Sequence, residues 1–364
     1  MKTAIETLRQ LQFEWNPLLE RSPLNNLFLT WEWIDSWCKN MLQNEIQIIL
    51  TVRKKDRLVG IAPLLLIEDK EMGNQVQFIG QKYSYHLGFI ADKEFEIHVY
   101  NAIWDYLFNN LPYDFSSIEF RHFEQNDVFE TSLQSQKKKR GIIVESSIQN
   151  PCKVLAINGS YKNYLKHDIV SMNFRRNIIK DINHIEKEGK IIFIQADASN
   201  FHAYWFELLK LHREMMQSKN KHSALNGVAF PQHLFQVGEA FQKKNSLRLN
   251  VMFVNNTTAA ILFAINYNGV YNALTIGVNQ KLIEKMPWFN FTIHSIANGI
   301  KSAFDENCKE FDFLGGQHDY KDKMGGKDQA GILLKIWPAE KVYKKEVKRS
   351  RFESILTKMN RIFN

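Results

Sequence analysis

The chain has 364 residues, of which 45% are hydrophobic and 13% aromatic. These values exclude a disordered protein and are typical of a chain long enough for two folded domains. The net charge of +8 favours anionic partners such as phosphates, nucleotides, nucleic acid or an acidic membrane surface, although solubility alone would also account for it.

The cysteines and the N-terminus indicate the compartment. Cys38, Cys152 and Cys308 are far apart and form no CxxC pair, which disfavours a disulfide framework and a structural zinc site. The N-terminal sequence MKTAIETLRQLQFEW has no apolar signal region, and the longest apolar run, VGIAPLLLI, is too short to span a bilayer. We expect a cytoplasmic protein that binds no metal.

The first half of the chain is predicted to form a meander followed by a helix and a strand. Residues 46–53 and 57–67 are apolar segments around a charged turn, and VQFIG, which ends at Gly80, predicts a third strand. The segment 95–111 has apolar residues at helical spacing. The strand SSIEFRHF and a polar helix that ends near Arg140 follow.

The second half begins to repeat this order at residues 247–278, which are predicted to form three strands. Two turns separate the three apolar segments, Asn255-Asn256 and Asn268-Gly269. Asparagine and glycine adopt the positive φ angles of tight hairpin turns more readily than other residues. The segment therefore predicts a second meander.

A helix and strands complete the repeat. The helix is predicted from Pro287 to about Asp305, with proline in its first turn, and KEFDFLG and AGILLKIWPA predict strands. The same order in both halves indicates a tandem duplication. We expect an N-terminal domain over residues 1–150, a C-terminal domain over residues 151–340, and a basic amphipathic helix over residues 341–364.

Two basic helices are predicted outside these sheets. Between the halves, apolar residues recur at helical spacing from Val170 to Ile185, and Gly189 would end this helix. Arg175 and Arg176 lie beside its apolar stripe. The C-terminal helix either packs on the domain with a solvated basic face or attaches to a partner or to an anionic surface, such as the inner membrane.

Motifs of several enzyme classes are absent from the sequence. It has no GxxxxGK[ST] phosphate loop, no GxGxxG after a strand, no HExxH and no GxSxG. These absences disfavour the common kinases and hydrolases. Candidate catalytic residues therefore have to be sought elsewhere in the sequence, where titratable side chains are concentrated.

The segment EFDFLGGQHDYKDKMGG, residues 310–326, places titratable side chains on a glycine-flanked loop after a strand. Acyl transfer from a thioester to an amine needs a base, donors for the oxyanion and an acid for the leaving thiolate. The loop offers candidates for each task, beside Asp312 on the strand: His318 or Asp319 as base, Tyr320 as acid and Lys321 as the cation that stabilises the oxyanion. The alternative is a polar turn in which Asp312 only caps neighbouring backbone.

Five segments of the sequence share a resemblance to one family. They are EFDFLGGQHDYKDKMG, NYLKHDIVSMNFRRNIIKDINHIEKEGKIIF, FLTWEWIDSWCKNM, LVGIAPLLL and KYSYHLGFI. Together, over about residues 10–338, they resemble the CelD-like acetyltransferases associated with polysaccharide biosynthesis. The resemblance implies an α/β (α+β) fold of tandem GNAT-like acyl-CoA N-acyltransferase domains, each with a mixed, mostly antiparallel sheet flanked by helices.

The layout is also similar to that of the Fem-type aminoacyltransferases of peptidoglycan synthesis. In that family a Phe-Lys pair on the loop after the DF-G strand lies near the transferred acyl group, and an Arg on the connecting helix contacts a substrate phosphate. The matching positions are Tyr320-Lys321 and Arg175 or Arg176. The resemblance also places three side chains at a groove where a sugar or nucleotide could stack, unless they are packing residues: Tyr83, Tyr85 and His86.

A donor site is expected at the start of the second predicted helix. GNAT domains hold the pyrophosphate of coenzyme A on N–H groups at a helix N-terminus, and the corresponding sequence is NQKLIEKMPWFNFT. The family usually has Pro-Gly here, whereas this chain has Pro287-Trp288, and the bulk of tryptophan limits close backbone approach. Lys281 and Lys285 could supply positive charge instead, or could be solvated turn lysines.

Three functions are compatible with the sequence. The leading hypothesis is an N-acyltransferase that uses acetyl-CoA or another acyl-CoA, with an amino sugar or another cell-envelope or polysaccharide precursor as acceptor. The second keeps the fold and takes the acyl group from an aminoacyl-tRNA, which the basic charge allows. The third is a degenerate GNAT pair that binds a partner without catalysis. The oligomeric state is not predicted.

Overall fold

The computed structural model describes residues 1–68, 73–124, 126–167, 169, 174–176, 178 and 191–339. Its strands, in chain order, are β1 (Lys2–Ile5), β2 (Ile46–Lys54), β3 (Arg57–Ile67), β4 (Gln75–Phe78), β5 (Ile90–Ala91), β6 (Ser117–Phe123), β7 (Ile143–Ala156), β8 (Ile191–Gln195), β9 (Leu247–Val254), β10 (Thr257–Tyr267), β11 (Val270–Val278), β12 (Glu310–Asp312) and β13 (Lys327–Trp337).

The described α-helices are α1 (Leu8–Leu11), α2 (Trp15–Leu19), α3 (Trp31–Met41), α4 (Glu96–Asn109), α5 (Asp127–Arg140), α6 (Tyr161–His167), α7 (Phe201–Ser218), α8 (Ala229–Lys243), α9 (Gln280–Lys285), α10 (Phe291–Asp305) and α11 (Asp319–Lys323). No helix within the described ranges is both long and apolar enough to cross a bilayer.

The chain divides into two compact units, and each takes segments from both halves of the sequence. The described part of the first unit comprises residues 1–25, 43–149 and those from Gly331 onward. The second unit comprises residues 26–42 and 150–330. Strand β7 runs through residue 150, where the sequence analysis places a domain boundary.

The sheet of the first unit has the strand order β1-β2-β3-β4-β6-β13. Neighbouring strands are antiparallel, except that β4 and β6 are parallel, and helix α4 lies between these two strands in the chain. The core is aromatic: the rings of Phe78 and Phe120 stack with centroids 4.0 Å apart, and Trp104 of α4 is fully buried. Trp104 also lies with its ring centroid 6.3 Å from that of Phe120, so aromatic packing, which buries large apolar areas, joins the helix to the sheet.

The second unit repeats the arrangement. Its strand order is β7-β12-β11-β10-β9-β8, again antiparallel except for the parallel pair β11 and β12, which flanks α10 in the chain. The predicted order of meander, helix and strand is therefore confirmed in both units. The turns at Asn255-Asn256 and Asn268-Gly269 have the positive φ angles that the sequence predicts.

The start of the helix predicted at Pro287 was wrong. Helix α10 begins at Phe291, because the side chain of Asn290 accepts a hydrogen bond from the Ile293 N–H at 3.1 Å and caps the first turn. Pro287 and Trp288 lie in the turn before it. Most of the helix predicted from 170 to 189 and all of the C-terminal helix predicted over 341–364 lie outside the described residues.

Helix α3 belongs to the second unit although it lies near the N-terminus. The edges of Trp33 and Trp37 pack on the ring of His233 in α8, with centroids 4.7 and 5.3 Å away. Ser36 Oγ donates to the His233 carbonyl at 3.0 Å. Burial lowers the pKa of His233 to about 3, so its imidazole is a neutral core ring.

Candidate functional site

The open edge of β11 is the central feature of the second unit. Strand β12 pairs with β11 only from Val270 to Asn272, where it ends opposite Asp312, whereas β11 continues to Val278. The register of β10 and β11 also shifts next to Leu274, as in a β-bulge. Residues 273–276 are half-buried. This part of β11 faces no partner strand on the β12 side within the described chain, so N–H groups directed to that side are not used by a neighbouring strand there.

Asp312 fixes the turn that leaves β12. Its side chain is 1% exposed, and Oδ1 accepts a hydrogen bond from the Leu314 N–H at 2.7 Å. Leu314 has φ +57°, a left-handed conformation that is rare for a branched side chain and needs such support. Asp312 therefore caps neighbouring backbone, as the alternative prediction from the sequence states. Asp312 holds the loop in place.

Lys321 also stabilises this loop, by hydrogen bonds to its backbone carbonyl groups. Its ammonium donates to three carbonyl oxygens, those of Phe313, Leu314 and Gly315, at 2.9, 2.9 and 2.6 Å. A lysine has three donors, and all three are used. Burial lowers the pKa of Lys321 to about 8, so the group is still charged at neutral pH. To stabilise an oxyanion as predicted, Lys321 would have to break one of these bonds.

His318 and Tyr320 present proton-transfer groups beside this loop. Their rings stack, with centroids 5.7 Å apart and planes 21° apart. His318 is an exposed residue, although its ring is partly shielded from water. This partial burial lowers the pKa of His318, and the positive charges of Lys321, Lys221 and Lys219 lower it further. Burial raises the pKa of Tyr320 to about 12. Near pH 7 the pair thus offers a neutral base and a protonated phenol; the neighbouring Asp319 is exposed.

A histidine and a serine that no sequence motif marks also lie close to β11. His212 of α7 is 6% exposed, and its Nδ1 lies 2.7 Å from the Ile276 carbonyl. Its Nε2 lies 2.8 Å from Ser223 Oγ, and Thr275 Oγ1 lies 3.4 Å from Nδ1. No motif marks these residues, because Ile276 and Thr275 lie more than 60 positions from His212 in the chain.

The residues predicted to bind the donor lie at the turn between β11 and α10. Lys281 and Lys285 are exposed on α9, whose first turn is capped by the Asn279 side chain. Trp288 is 40% exposed, and its ring makes an edge contact with Phe289 at 5.8 Å. The structure thus places all three before the N-terminus of α10.

The residues predicted to bind the acceptor belong to different units. In the first unit, three half-buried side chains contact their neighbours: Tyr83 under the Lys82 ammonium at 5.3 Å, Tyr85 with its ring 4.7 Å from that of His122, and His86 with Nδ1 3.6 Å from a Glu124 oxygen. In the second unit, Arg175 donates to the Lys166 carbonyl and Arg176 is exposed.

Comparisons with known proteins agree with this architecture. Residues 172–322 match the family described as acetyltransferase (GNAT) domain. FemX has a similar structure, with a TM-score of 0.64 and 10% identity over 92% of this chain and 97% of that one. The L-PGS from Bacillus licheniformis has a TM-score of 0.54 and 10% identity over 90% of this chain and 92% of that one. None of the curated proteins matches the sequence.

A third solved structure is also similar to this chain. The C-terminal domain of a putative lysylphosphatidylglycerol synthetase from Agrobacterium fabrum has a TM-score of 0.57 and 6% identity, over 94% of this chain and 96% of that one. At such identities the three structures establish the fold alone. The chain therefore has the Fem-like tandem GNAT fold that the sequence predicts, and the segment that matches the acetyltransferase (GNAT) domain, residues 172–322, ends in the Tyr320-Lys321 loop.

Proposed function

We propose that the protein is an N-acyltransferase that moves an acyl group from an acyl-CoA to an amine. The observation that carries the proposal is the open edge of β11 beside the loop of His318, within the segment that matches the GNAT domain. Unpaired backbone N–H groups at a strand edge can donate to a thioester carbonyl and stabilise the oxyanion that forms from it. This role does not need the ammonium of Lys321.

The reaction needs two proton transfers, and the loop after β12 offers a group for each. The amine attacks the thioester carbonyl, the C–N bond forms and the C–S bond breaks. His318, neutral near pH 7, is a candidate to take the amine proton, and Tyr320 is a candidate to protonate the leaving thiolate. Asp312 and Lys321 hold the loop that carries both rings.

The proposed donor site is the segment before α10. Helix α10 has 15 residues, and its N-terminus is suited to a pyrophosphate because its first N–H groups and its dipole favour negative charge. Lys281 and Lys285 add positive charge nearby in the chain. Trp288 is exposed in the turn between them and the helix, so it can pack on an adenine or pantetheine group.

The proposed acceptor is an amine on an amino sugar or another cell-envelope precursor. The CelD-like resemblance supports this class, and so do the positive charges of Lys219 and Lys221, which act on His318 and would attract an anionic precursor. By the same resemblance, Arg175 or Arg176 would contact a phosphate of the acceptor. Tyr83, Tyr85 and His86 would stack on its sugar or base.

A second candidate keeps the chemistry and changes the donor to an aminoacyl-tRNA. The similarity in fold to FemX over 92% of the chain is the observation that favours it. The net charge of +8 is compatible with binding of RNA. A non-catalytic binding module is the third candidate.

Isothermal titration calorimetry with acetyl-CoA, followed by longer acyl-CoAs, tests the proposal. We expect micromolar binding that weakens in a Lys281→Gln, Lys285→Gln double variant. A Lys137→Gln, Lys138→Gln variant on α5 of the first unit has the same change in net charge and should bind as the wild type does. If no acyl-CoA binds, the donor assignment is wrong, and binding of an aminoacyl-tRNA would then separate the second candidate from the third.

A further inference from the structure

The contacts of His212 define the position of its proton. The Ile276 carbonyl can only accept a hydrogen bond, so the nitrogen 2.7 Å from it, Nδ1, carries the hydrogen in the neutral ring. The other nitrogen, Nε2, then has a free lone pair directed at Ser223 Oγ, 2.8 Å away, and the serine hydroxyl donates to it. A hydroxyl bonded to an imidazole that is itself held by a third group is the arrangement of an activated serine.

The surroundings keep this imidazole neutral and able to accept a proton. Burial lowers the pKa of His212, the bond to the Ile276 carbonyl opposes this, and the charges of Lys219 and Arg213 lower the pKa further. An imidazolium formed in a reaction would retain the Nδ1–H bond to the carbonyl. The group is therefore an available base at neutral pH that would release the proton again readily.

The pair lies next to the site proposed for acyl transfer. Thr275 and Ile276, which contact the His212 ring, belong to the open half of β11. The segment from Lys219 to Lys221 leads directly into Ser223, and its two lysines act electrostatically on His318. The contacts to Thr275 and Ile276 therefore place the pair of His212 and Ser223 at the strand that is proposed to hold the thioester carbonyl.

We propose that Ser223 and His212 form a proton relay that serves the acceptor amine, an inference that rests on the proposed function. When the amine attacks the thioester carbonyl, its proton passes to Ser223 Oγ while the hydroxyl proton of Ser223 passes to His212 Nε2, so that the relay, in place of His318, is the base in this step. The C–N bond forms and the C–S bond breaks. The thiolate leaves with the electron pair and takes up the phenol proton of Tyr320. His212 then releases the proton that it received and the phenolate of Tyr320 regains one from solvent, so amine and thioester become amide and thiol.

Ser223 could also have a purely structural role, and the experiment must distinguish that role from a proton relay. Ser223 Oγ also accepts a hydrogen bond from the Leu225 N–H at 3.2 Å and so caps a short 3₁₀ turn over Ala224–Asn226. A cap uses the oxygen as an acceptor and does not need the hydroxyl proton to move. Only the relay makes Ser223 a stronger nucleophile than an ordinary serine.

The test uses a fluorophosphonate, which reacts with serines whose proton is removed by a neighbouring base. We expect labelling of the full-length protein at Ser223, identified by peptide mass spectrometry. His212→Gln should slow the labelling by about 100-fold, the lower end of what a general base contributes. Ser223→Thr should keep part of the reactivity. Ser218→Ala removes a serine hydroxyl at the end of α7 that bonds Met215 O and Gln280 Oε1 instead of a histidine, and it should have no effect.

The outcomes separate this inference from the proposed function. No labelling of Ser223, or equal labelling in a His212→Gln variant whose circular dichroism and melting are normal, would overturn the relay even if acetyl-CoA binds. Absence of acetyl-CoA binding to the wild type would reject the donor while labelling still decides the relay. Where the wild type releases thiol from acetyl-CoA, Ser223→Ala should slow release about 100-fold with the Kd unchanged, and an unchanged rate would overturn the catalytic role.

Discussion

The side chains of the loop after β12 divide into those that hold it and those that can react. Asp312 and Lys321 are almost fully buried and bond backbone groups of residues 313–315. His318 and Tyr320 lie further along the loop and have less buried side chains. A charged residue is buried only when its hydrogen bonds are satisfied, and the three carbonyl contacts of Lys321 meet that condition. The charged side chains of Asp312 and Lys321 therefore fix the backbone conformation of the loop.

The burial of Lys321 predicts a specific dependence of stability on pH. The pKa of Lys321 is about 8 in the folded protein, below that of a lysine in an unfolded chain. As pH rises above 8, the folded state loses this proton while the unfolded state keeps it, so the unfolding free energy rises. Relative to a Lys321→Met variant, the wild type should gain stability between pH 8 and 9.5, by at most about 1.4 kcal/mol per pH unit.

Urea unfolding at several pH values measures this difference, because all other titrating groups are common to both proteins. Lys321→Arg is the matched control, since a guanidinium keeps its proton throughout this range. Between pH 8 and 9.5, the wild type should gain as much stability relative to the Lys321→Arg variant as it gains relative to Lys321→Met. A constant difference from pH 7 to 9.5 would show that Lys321 titrates as an ordinary lysine.

At the level of residues, the sequence predicted the loop of the candidate site better than the groups around it. Asp312 and Lys321 lie within ten positions of each other, so a family signature could mark them. Ser223 lies 11 residues after His212, and the packing of α7 on β11 brings the Ile276 carbonyl to the same ring. Periodicity shows that a helix has a buried face, but it does not show which carbonyl a buried histidine meets.

At the level of elements, the site depends on the close approach of α7 to β11. Gly277 makes this possible: a Cβ atom there would lie 2.7 Å from the Leu208 carbonyl oxygen and 2.9 Å from the His212 backbone nitrogen. Both are helix backbone atoms, which cannot move aside as a side-chain end can. The residue before this glycine, Ile276, supplies the carbonyl that holds His212.

Gly277→Ala should therefore push α7 away from the strand. We expect a loss of about 1–3 kcal/mol in the unfolding free energy, as for other overpacked cores, measured by urea denaturation. The same substitution at Gly227 is the control, because its nearest atom to an added Cβ is the Ala224 oxygen at 3.6 Å, an ordinary contact. Equal stabilities of the two variants would contradict a close packing of α7 on β11.

Element prediction succeeded where the periodic pattern was strong and failed where a single side chain decides a boundary. The three strands within 247–278 are present because asparagine turns separate apolar segments. The start of α10 depends on Asn290, whose side chain caps the first turn, and not on Pro287, which lies three residues earlier. Strand β7 was missed because its sequence around Asn150-Pro151 has the composition of a linker.

At the level of the whole molecule, chain order and unit membership differ. Residues 26–42 belong with the second unit, and the strand residues from Gly331 to Trp337 belong with the first. The second sheet lies within the later part of the chain, but helix α3, which packs on α8, comes from its first 42 residues. The sequence could not predict to which unit α3 belongs, because the hydrophobic stripe of this tryptophan-rich helix would fit either unit.

This assignment predicts where the effect of an N-terminal substitution appears. Trp33 of α3 and Trp104 of α4 are both fully buried, so replacing either with alanine should cost about 3–5 kcal/mol. Hydrogen exchange with mass spectrometry reports which amides lose protection, since compact units open separately. Trp33→Ala should speed exchange in α8, residues 229–243, and leave the strand at 117–123 protected.

Trp104→Ala is the matched substitution, and it should show the reverse pattern. Its ring contacts Phe89 and Phe129 of the first unit at centroid distances of 5.4 and 5.6 Å, so the strand at 117–123 should lose protection while α8 keeps it. Because both variants lose a buried indole, a difference in stability alone cannot produce opposite patterns. If Trp33→Ala instead increased exchange mainly in residues 46–123, helix α3 would support the unit beside it in the sequence. Residues 26–42 would then belong to the first unit.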